Sequence, residues 1–354
     1  MKTIKELAEE YQCYFIADIA ANHDGSIERA KDLIYLAKES GAHVAKFQHF
    51  TPKDIVSPEG FESLGDIKTH QSTWKKSVYE VYDKYQFKRE WDAELYATCC
   101  DAEIEFMTTP YDVDAIHRMD AYVNSYKIGS GDITYKSLID MIIKTDKNVI
   151  LATGASHISD IRRAMKLISD NTPSEKIALL QCNTNYTGDI ENFKYINLNV
   201  LKKYQELYPN VTLGLSDHTP GHATVLGAIS LGAKIIEKHF TDDNSRMGPD
   251  HKFAMSPNSW REMVERSKEL IFALGNGKKI VESNEIESSV VQRRSIRAAR
   301  DLKQGTIINS EDLTCLRPCT ESGLSPWEFL NLIGKELTKE LRKGDEIKWD
   351  NFSK

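Results

Sequence analysis

Nothing in the chain approaches the run of about 18 apolar residues that a membrane-spanning helix needs, so no such span is expected. There is no long basic block, and the net charge is −7, which argues against a general nucleic-acid binder. Cysteines are few. Cys13, Cys99, Cys100, Cys182, Cys315 and Cys319 fit neither a zinc motif nor a disulfide framework, so buried reduced thiols are expected. The opening residues, Met1-Lys2-Thr3-Ile4-Lys5-Glu6, lack the apolar core of a signal peptide, and the cytoplasm is the expected compartment. What is there is an ordinary balance of 40% hydrophobic and 28% charged residues in 354, room for one large domain and a small one.

Eight short apolar runs punctuate the first part of the chain: Tyr14 to Ala20, Val44 to Gln48, Ile104 to Thr109, Ser125 to Ile128, Val149 to Thr153, Ile177 to Cys182, Val211 to Leu215 and Lys234 to His239. Stretches with helical period lie between them. From Ser26 to Ser40, for example, Ile27, Ala30, Leu33, Ile34 and Ala37 share one face, with Ser26 as N-cap and Gly41 as the stop. Strands alternating with helices imply a parallel sheet. Eight such units predict a (β/α)8 TIM barrel, with helical insertions near 60–95; a doubly wound sheet is the alternative, but eight units suit closure better.

Polar residues gather at the end of each run: Asp18, Asn22 and His23; Lys46 and Gln48; Thr108 and Thr109; Lys127, Ser130 and Asp132; Thr153; Asn183 and Tyr186; Ser216 and His218; Lys238 and His239. The C-terminal ends of barrel strands form the catalytic face, so these side chains are expected to line one pocket. Each alone reads equally as a loop hydrogen-bonder; their concentration at one end of eight strands carries the expectation.

From about Arg293 the texture changes to short strands separated by Lys-x-Gly turns, a small β-rich module of roughly 60 residues. The polar stretch from Asn276 to Ser289 is the natural join. The division is therefore a barrel domain over 1–280, a linker over 281–292 and the small module over 293–354.

His218 and His239 end adjacent runs in matched surroundings, Leu215-Ser216-Asp217-His218-Thr219 and Glu237-Lys238-His239-Phe240-Thr241. Two imidazoles so placed suit a divalent-metal site with open positions, whereas either alone reads as a satisfied core histidine. Lys46 and Lys127 facing the same interior put two ammonium groups where most barrels are apolar, which is costly unless an anion neutralises them. With Thr109, Ser130, Ser216 and the Gly129-Ser130-Gly131 loop, that anion is read as a phosphate; pairing of each lysine with a carboxylate such as Glu237 stays open. Asp132 is a candidate to hold a water beside the metal. Metal and phosphate together point to carbonyl-directed addition or lyase chemistry.

Six motifs, in order and spanning residue 12 to the C-terminus, resemble the sialic acid synthase family. They are Ile16 to Ser26 (IADIAANHDGS), Ala45-Lys46-Phe47-Gln48, Tyr126 to Asp132 (YKIGSGD), Gly214 to Thr219 (GLSDHT), Glu237 to Thr241 (EKHFT) and Gly248-Pro249-Asp250-His251. The C-terminal piece, including Leu316-Arg317-Pro318, is similar to that family's antifreeze-like (SAF) domain. The resemblance implies condensation of phosphoenolpyruvate with an open-chain N-acetylated hexosamine, giving a nine-carbon 2-keto acid and phosphate. It assigns Lys46, Thr109, Lys127, Ser130 and Ser216 to phosphoenolpyruvate; Asp18, Gln48, Tyr186, Asp250 and Arg317 to the sugar; and His218 and His239 to Mn²⁺ or Mg²⁺, with Asp132, His218 and His239 catalytic. It also implies a domain-swapped homodimer in which the SAF arginine reaches the partner's barrel.

Some positions depart from the family pattern. Asp18 stands where many members carry Glu, Ala152 replaces a frequent Ser, and Gln181-Cys182-Asn183-Thr184 replaces a common His-Cys-Thr-Asn or Ser pattern. These changes bear on the sugar, and a legionaminic- or pseudaminic-type substrate is the alternative to N-acetylmannosamine; Gly248 to His251 favours the sialic or legionaminic side. Local roles also compete: Arg317 as an exposed loop residue, Asp250 as a turn residue, His23 and His251 as rim residues, Asp217 as an orienter of His218 or a helix cap. Synthases of seven- or eight-carbon keto-deoxy acids are the rival within the enzyme class, but lack a SAF module. A sugar-binding barrel that has lost turnover is the rival outside it.

Overall fold

The computed structural model describes residues 1–64, 74 and 76–353. The described chain divides into two compact units, Met1–Gly275 and Asn276–Lys354. Segment 281–292 carries a short helix, Ile286–Val291. Part of the insertion expected near 60–95 lies outside the described residues; helices Pro58–Ser63, Val78–Tyr85 and Asp92–Asp101 form the rest. No helix among the described residues is long and apolar enough to cross a membrane.

In the first unit all eight apolar runs are strands: β1 (Tyr14–Asp18), β2 (Val44–His49), β3 (Glu105–Pro110), β4 (Ser125–Ile128), β5 (Asn148–Ala152), β6 (Ile177–Cys182), β7 (Thr212–Asp217) and β8 (Ile235–His239). They close in sequence order into a parallel barrel. Closure is made by β8 on β1, in register from Tyr14↔Ile235 to Asp18↔His239. The doubly wound alternative is thereby excluded.

Local chemistry explains the covering helices. In Ile27–Glu39, the Ser26 hydroxyl accepts from the Arg29 amide, and Ala30, Leu33, Ile34 and Ala37 are buried. Gly41 ends the unit at φ +94°, a left-handed conformation that favours glycine. Each fully buried Leu or Ile contributes about 1.5–3 kcal/mol.

Side chains two apart along a strand share a face, and on β1, β2, β3 and β8 the inward series runs from apolar to polar. Tyr14 and Ile16 precede Asp18; Val44 precedes Lys46 and Gln48; Met107 precedes Thr109; Ile235 precedes Glu237 and His239. The apolar half forms one buried cluster with Ile150, Ala178 and Leu180, into which Ile4 and Leu7 of the helix Ile4–Glu10 pack. Thr3 and Glu6 form a capping box at that helix's start. The polar half faces the other end, where the loops following the strands converge.

The second unit has its own core, built on Ile296, Leu302, Ile308, Leu313, Leu337 and Ile347. A two-stranded sheet pairs β9 (Ser295–Ala298) antiparallel with β10 (Leu313–Leu316). Isolated bridges such as Leu302↔Leu341 and Leu337↔Phe352 supply the rest of the β pairing. Gly305 and Gly344 sit at φ +83° and +89° in the Lys-x-Gly and Lys-Gly turns.

Candidate active site

At the polar end of the barrel a cavity of about 210 Å³ is lined by ten of the expected site residues: Asp18, Lys46, Gln48, Thr109, Lys127, Ser130, Tyr186, Ser216, His218 and His239. Its floor is a chain of buried charges. Lys46 Nζ lies 2.7 Å from Asp18 Oδ2 and 3.2 Å from Glu237 Oε1, and donates to Thr109 Oγ1 at 3.1 Å. Lys127 Nζ lies 2.9 Å from Glu237 Oε2. Burial alone lowers the pKa of Lys46, but the adjacent Asp18 and Glu237 carboxylates reverse this and hold it above the usual lysine value. Burial likewise pushes Glu237 up, and the two ammonium groups overcome it, so that its carboxyl stays far below the ordinary range. Both lysines thus have a carboxylate partner, the alternative left open above, and Glu237 is shared between them.

The two histidines meet above this floor, ring centroids 5.4 Å apart. His218 Nδ1 bonds the Asn183 carbonyl at 2.9 Å. A carbonyl only accepts, so the proton is on Nδ1 and Nε2 carries the free lone pair. His239 Nε2 lies 3.7 Å from Asp18 Oδ2, and its buried Nδ1 has no hydrogen-bond partner among the described residues. Tyr186 packs edge-on against His218 at 4.4 Å and Phe253 against His239 at 4.9 Å. Burial lowers the pKa of both rings, that of His239 to about 3, so both are neutral imidazoles at neutral pH. Neutral rings with available nitrogens fit a divalent ion. No cluster of three His, Cys, Asp or Glu side chains suited to a metal occurs among the described residues. The histidines therefore stand as a pair, which would leave most coordination positions to water or substrate.

Asp132, Asp250 and Arg317 are not part of this cavity's lining. Asp18 lies deep, accepting from Gln48 Nε2 at 3.1 Å as well as pairing with Lys46. Ser130 Oγ accepts from the Gly154 amide at 2.9 Å. Asp132 is half-buried at the start of the loop after β4, and desolvation pushes its carboxyl up to about 6. Asp250 lines a second recess, of about 60 Å³, which also includes Gln48, Phe50, Tyr82 and Tyr85. Its Oδ2 accepts from the Ala21 amide at 3.2 Å, and burial raises its pKa to about 7. Arg317 is exposed in the second unit.

Several strand-end polar residues are directed elsewhere. Thr108 bonds His49 at 2.6 Å, Thr153 donates to the Leu180 carbonyl at 2.9 Å, and Lys238 pairs with Asp217. His23 is buried edge-on against Trp91, and His251 bonds Asp24 and Thr241. The floor carboxylate Glu237 was named in the sequence only as a possible lysine partner, which it is, and was not assigned to the site itself. Strand parity was the available signal, since Glu237 stands two before His239 and must share its face. Cys182, in the Gln181 to Thr184 segment, also lines the cavity, as do Tyr82 and Tyr111, which come from segments with no motif to mark them.

A closed (β/α)8 barrel with a buried lysine pair and two neutral histidines at its catalytic end, followed by a small separate module, defines an enzyme of the TIM-barrel class. The sequence matches the NeuB family over residues 33–279 and the SAF domain over 293–353. The chain belongs to the NeuB family, the sialic acid synthases that the motifs resemble. It is 31% identical to the N,N'-diacetyllegionaminic acid synthase of Legionella pneumophila over 99% of this chain and 97% of that one. It is 30% identical to the pseudaminic acid synthase of Campylobacter jejuni over 96% of each. Among solved structures, the N-acetylneuraminic acid synthetase of Leptospira borgpetersenii superposes with a TM-score of 0.67 at 26% identity, covering 78% of this chain and 90% of that one.

Proposed function

We propose that this chain condenses phosphoenolpyruvate with an open-chain N-acylated hexosamine, releasing phosphate and a nine-carbon 2-keto acid. The observation that carries this reading is the Lys46–Glu237–Lys127 floor beneath the His218–His239 pair in one cavity. Phosphoenolpyruvate brings a phosphate and a carboxylate; Lys46 and Lys127 bind these anions, with hydroxyls from Thr109, Ser130 and Ser216. Two buried cations, Lys46 and Lys127, face two buried carboxylates, Asp18 and Glu237, so the floor is neutral overall. A polyanionic substrate in a neutral, desolvated site needs further positive charge. His218 and His239 would hold a divalent ion, Mn²⁺ or Mg²⁺, which supplies that charge and polarises the aldehyde oxygen.

The chain's own groups then order the reaction. Lys46 and Lys127 fix the enol so that its methylene carbon lies against the aldehyde carbon, and the double-bond electron pair forms the new C–C bond. Water adds to the cationic carbon left behind. Asp132, whose raised pKa suits proton exchange near neutrality, takes the proton from that water. The former aldehyde oxygen takes up that proton as the new hydroxyl, and the bond from carbon to the phosphate-bearing oxygen then breaks as the added hydroxyl gives its proton to the departing phosphate, leaving the ketone and inorganic phosphate. Gln48, Tyr186, Asp250 and Arg317 are assigned to the sugar, with Asp18 orienting Gln48.

A deoxy-diacetamido hexose, the legionaminic type of substrate, is favoured by the similarity to N,N'-diacetyllegionaminic acid synthases, and the small recess beside Gln48 suits an N-acyl group of either candidate sugar. Its walls include Phe50, Val81, Tyr82 and Tyr85, an apolar lining of a size that suits the methyl of an acyl group. The cytoplasm is the compartment we assign. A domain-swapped homodimer is the assembly we assign, and Trp327 and Leu330, 93% and 81% exposed in the second unit, give it apolar surface to cover.

Phosphate release from phosphoenolpyruvate, followed with and without Mn²⁺ across a panel of N-acyl hexosamines, tests the reading. Release with a diacetamido sugar and Mn²⁺ supports it. No release with any sugar defeats the enzymatic claim, and full release after chelation defeats the role of the histidines.

A further inference from the structure

Between the two histidine strands lies a buried ion pair that the chemistry above leaves unused. Asp217 and Lys238 are directly opposite each other in the β7–β8 register, one residue before His218 and His239 respectively. Both residues border the cavity, but strand alternation points their side chains to the opposite face from those of His218 and His239, toward Thr224, and they are 2% and 1% exposed. Lys238 Nζ binds Asp217 Oδ2 and donates to the Thr219 carbonyl at 2.6 Å, so it grips both sides of His218. The Asp217 carboxylate also accepts from the Thr219 amide at 3.2 Å and the Thr219 hydroxyl at 2.9 Å. A further bond, 2.7 Å, comes from the Thr224 hydroxyl on helix Ala223–Ser230, which follows β7. Every bond of this network ends on the residue before His218, the residue after it, or the next helix.

We infer that Asp217 and Lys238 are positioning residues for the histidine pair: a cross-strand clamp that sets the spacing of His218 and His239 before any ion binds. The geometry is selective. Backbone pairing alone joins β7 to β8 only as far as Asp217↔Lys238, and His218 already lies beyond the end of β7. Without the clamp, the backbone carrying His218 is held on this side only by loop contacts. The Asn183 carbonyl orients the His218 ring but lies on the β6 side and does not fix its distance to His239. Groups behind a ligand that orient it commonly change metal affinity by 10–100-fold. The inference rests on reading His218 and His239 as a metal pair.

The test is Mn²⁺ affinity by titration calorimetry, alongside circular dichroism and thermal melting, for the wild type and the double variant Asp217→Asn/Lys238→Met. The double variant removes both charges together and leaves no unpaired buried ion. The expected result is a folded barrel whose Mn²⁺ dissociation constant rises 10–100-fold. A folded double variant with wild-type affinity overturns the clamp and leaves the metal reading standing; absence of Mn²⁺ binding by the wild type overturns both. Should the double variant not fold, Thr224→Val decides, because it removes one bond to Asp217 and keeps the ion pair. A loss of Mn²⁺ affinity supports the clamp, and unchanged affinity rejects it.

Discussion

The Glu237 carboxylate holds the Lys127 ammonium at 2.9 Å in the barrel floor while its other oxygen reaches Lys46 at 3.2 Å. One buried carboxylate therefore serves two buried cations. Any anionic substrate must compete with it for both.

Replacement by the neutral isostere, Glu237→Gln, exposes this competition. Two ammonium groups lose a shared counterion, and removing one partner from a buried pair costs about 3–5 kcal/mol. The melting temperature of Glu237→Gln is expected to fall, and inorganic phosphate is expected to restore much of it by binding the freed lysines. Melting curves with and without phosphate check this; no phosphate rescue would remove the lysines from anion binding.

His239→Ala removes one of two rings at the centre of the site without touching the barrel's apolar layers. Mn²⁺-dependent turnover should vanish while the far-ultraviolet dichroism stays unchanged. Full activity in this variant would refute the ligand role.

Asp132 should give the activity an ascending limb as pH rises through about 6, where its carboxyl loses its proton. Asp132→Asn should flatten that limb and cut turnover by roughly 10²–10⁴-fold. The stability sign is opposite. The folded state binds this proton more tightly than the unfolded chain, so the wild type loses stability as pH rises from about 4 to 6. The asparagine variant is spared that loss and should melt higher than wild type at pH 8.

His23 and His43 are both held by burial at pKa values of about 4. Unfolding restores their ordinary values near 6.5, so the unfolded chain binds more protons between these limits. Their contribution is complete above pH 6.5 and is lost as pH falls towards 4, by about 1.4 kcal/mol per pH unit for each group. Chemical denaturation at a series of pH values measures it, and a slope unaffected by His23→Gln would remove that residue from the account.

The eight strands were legible because a buried parallel strand is a short apolar run and its covering helix has a 3.6-residue period; both are local properties. Lys46, Lys127, His218 and His239 were legible for a related reason, since a charged or imidazole side chain ending an apolar run stands out where it is written. The family likewise followed from motifs that are contiguous in the chain.

What the sequence could not supply by itself is partnership across strands. Asp18 lies 221 residues from His239, and only barrel closure sets them side by side. Glu237 was within reach by parity, yet its sharing between Lys46 and Lys127 depends on three strands meeting at one level. Asp217 and Lys238 are neighbours of the histidines in sequence, but register and burial turn them outward into a clamp. The sequence determined which groups exist and on which strand ends they stand, because propensity and periodicity act over a few residues. The tertiary structure decided which charges neutralise one another, because that depends on distances of a few ångströms between residues far apart in the chain.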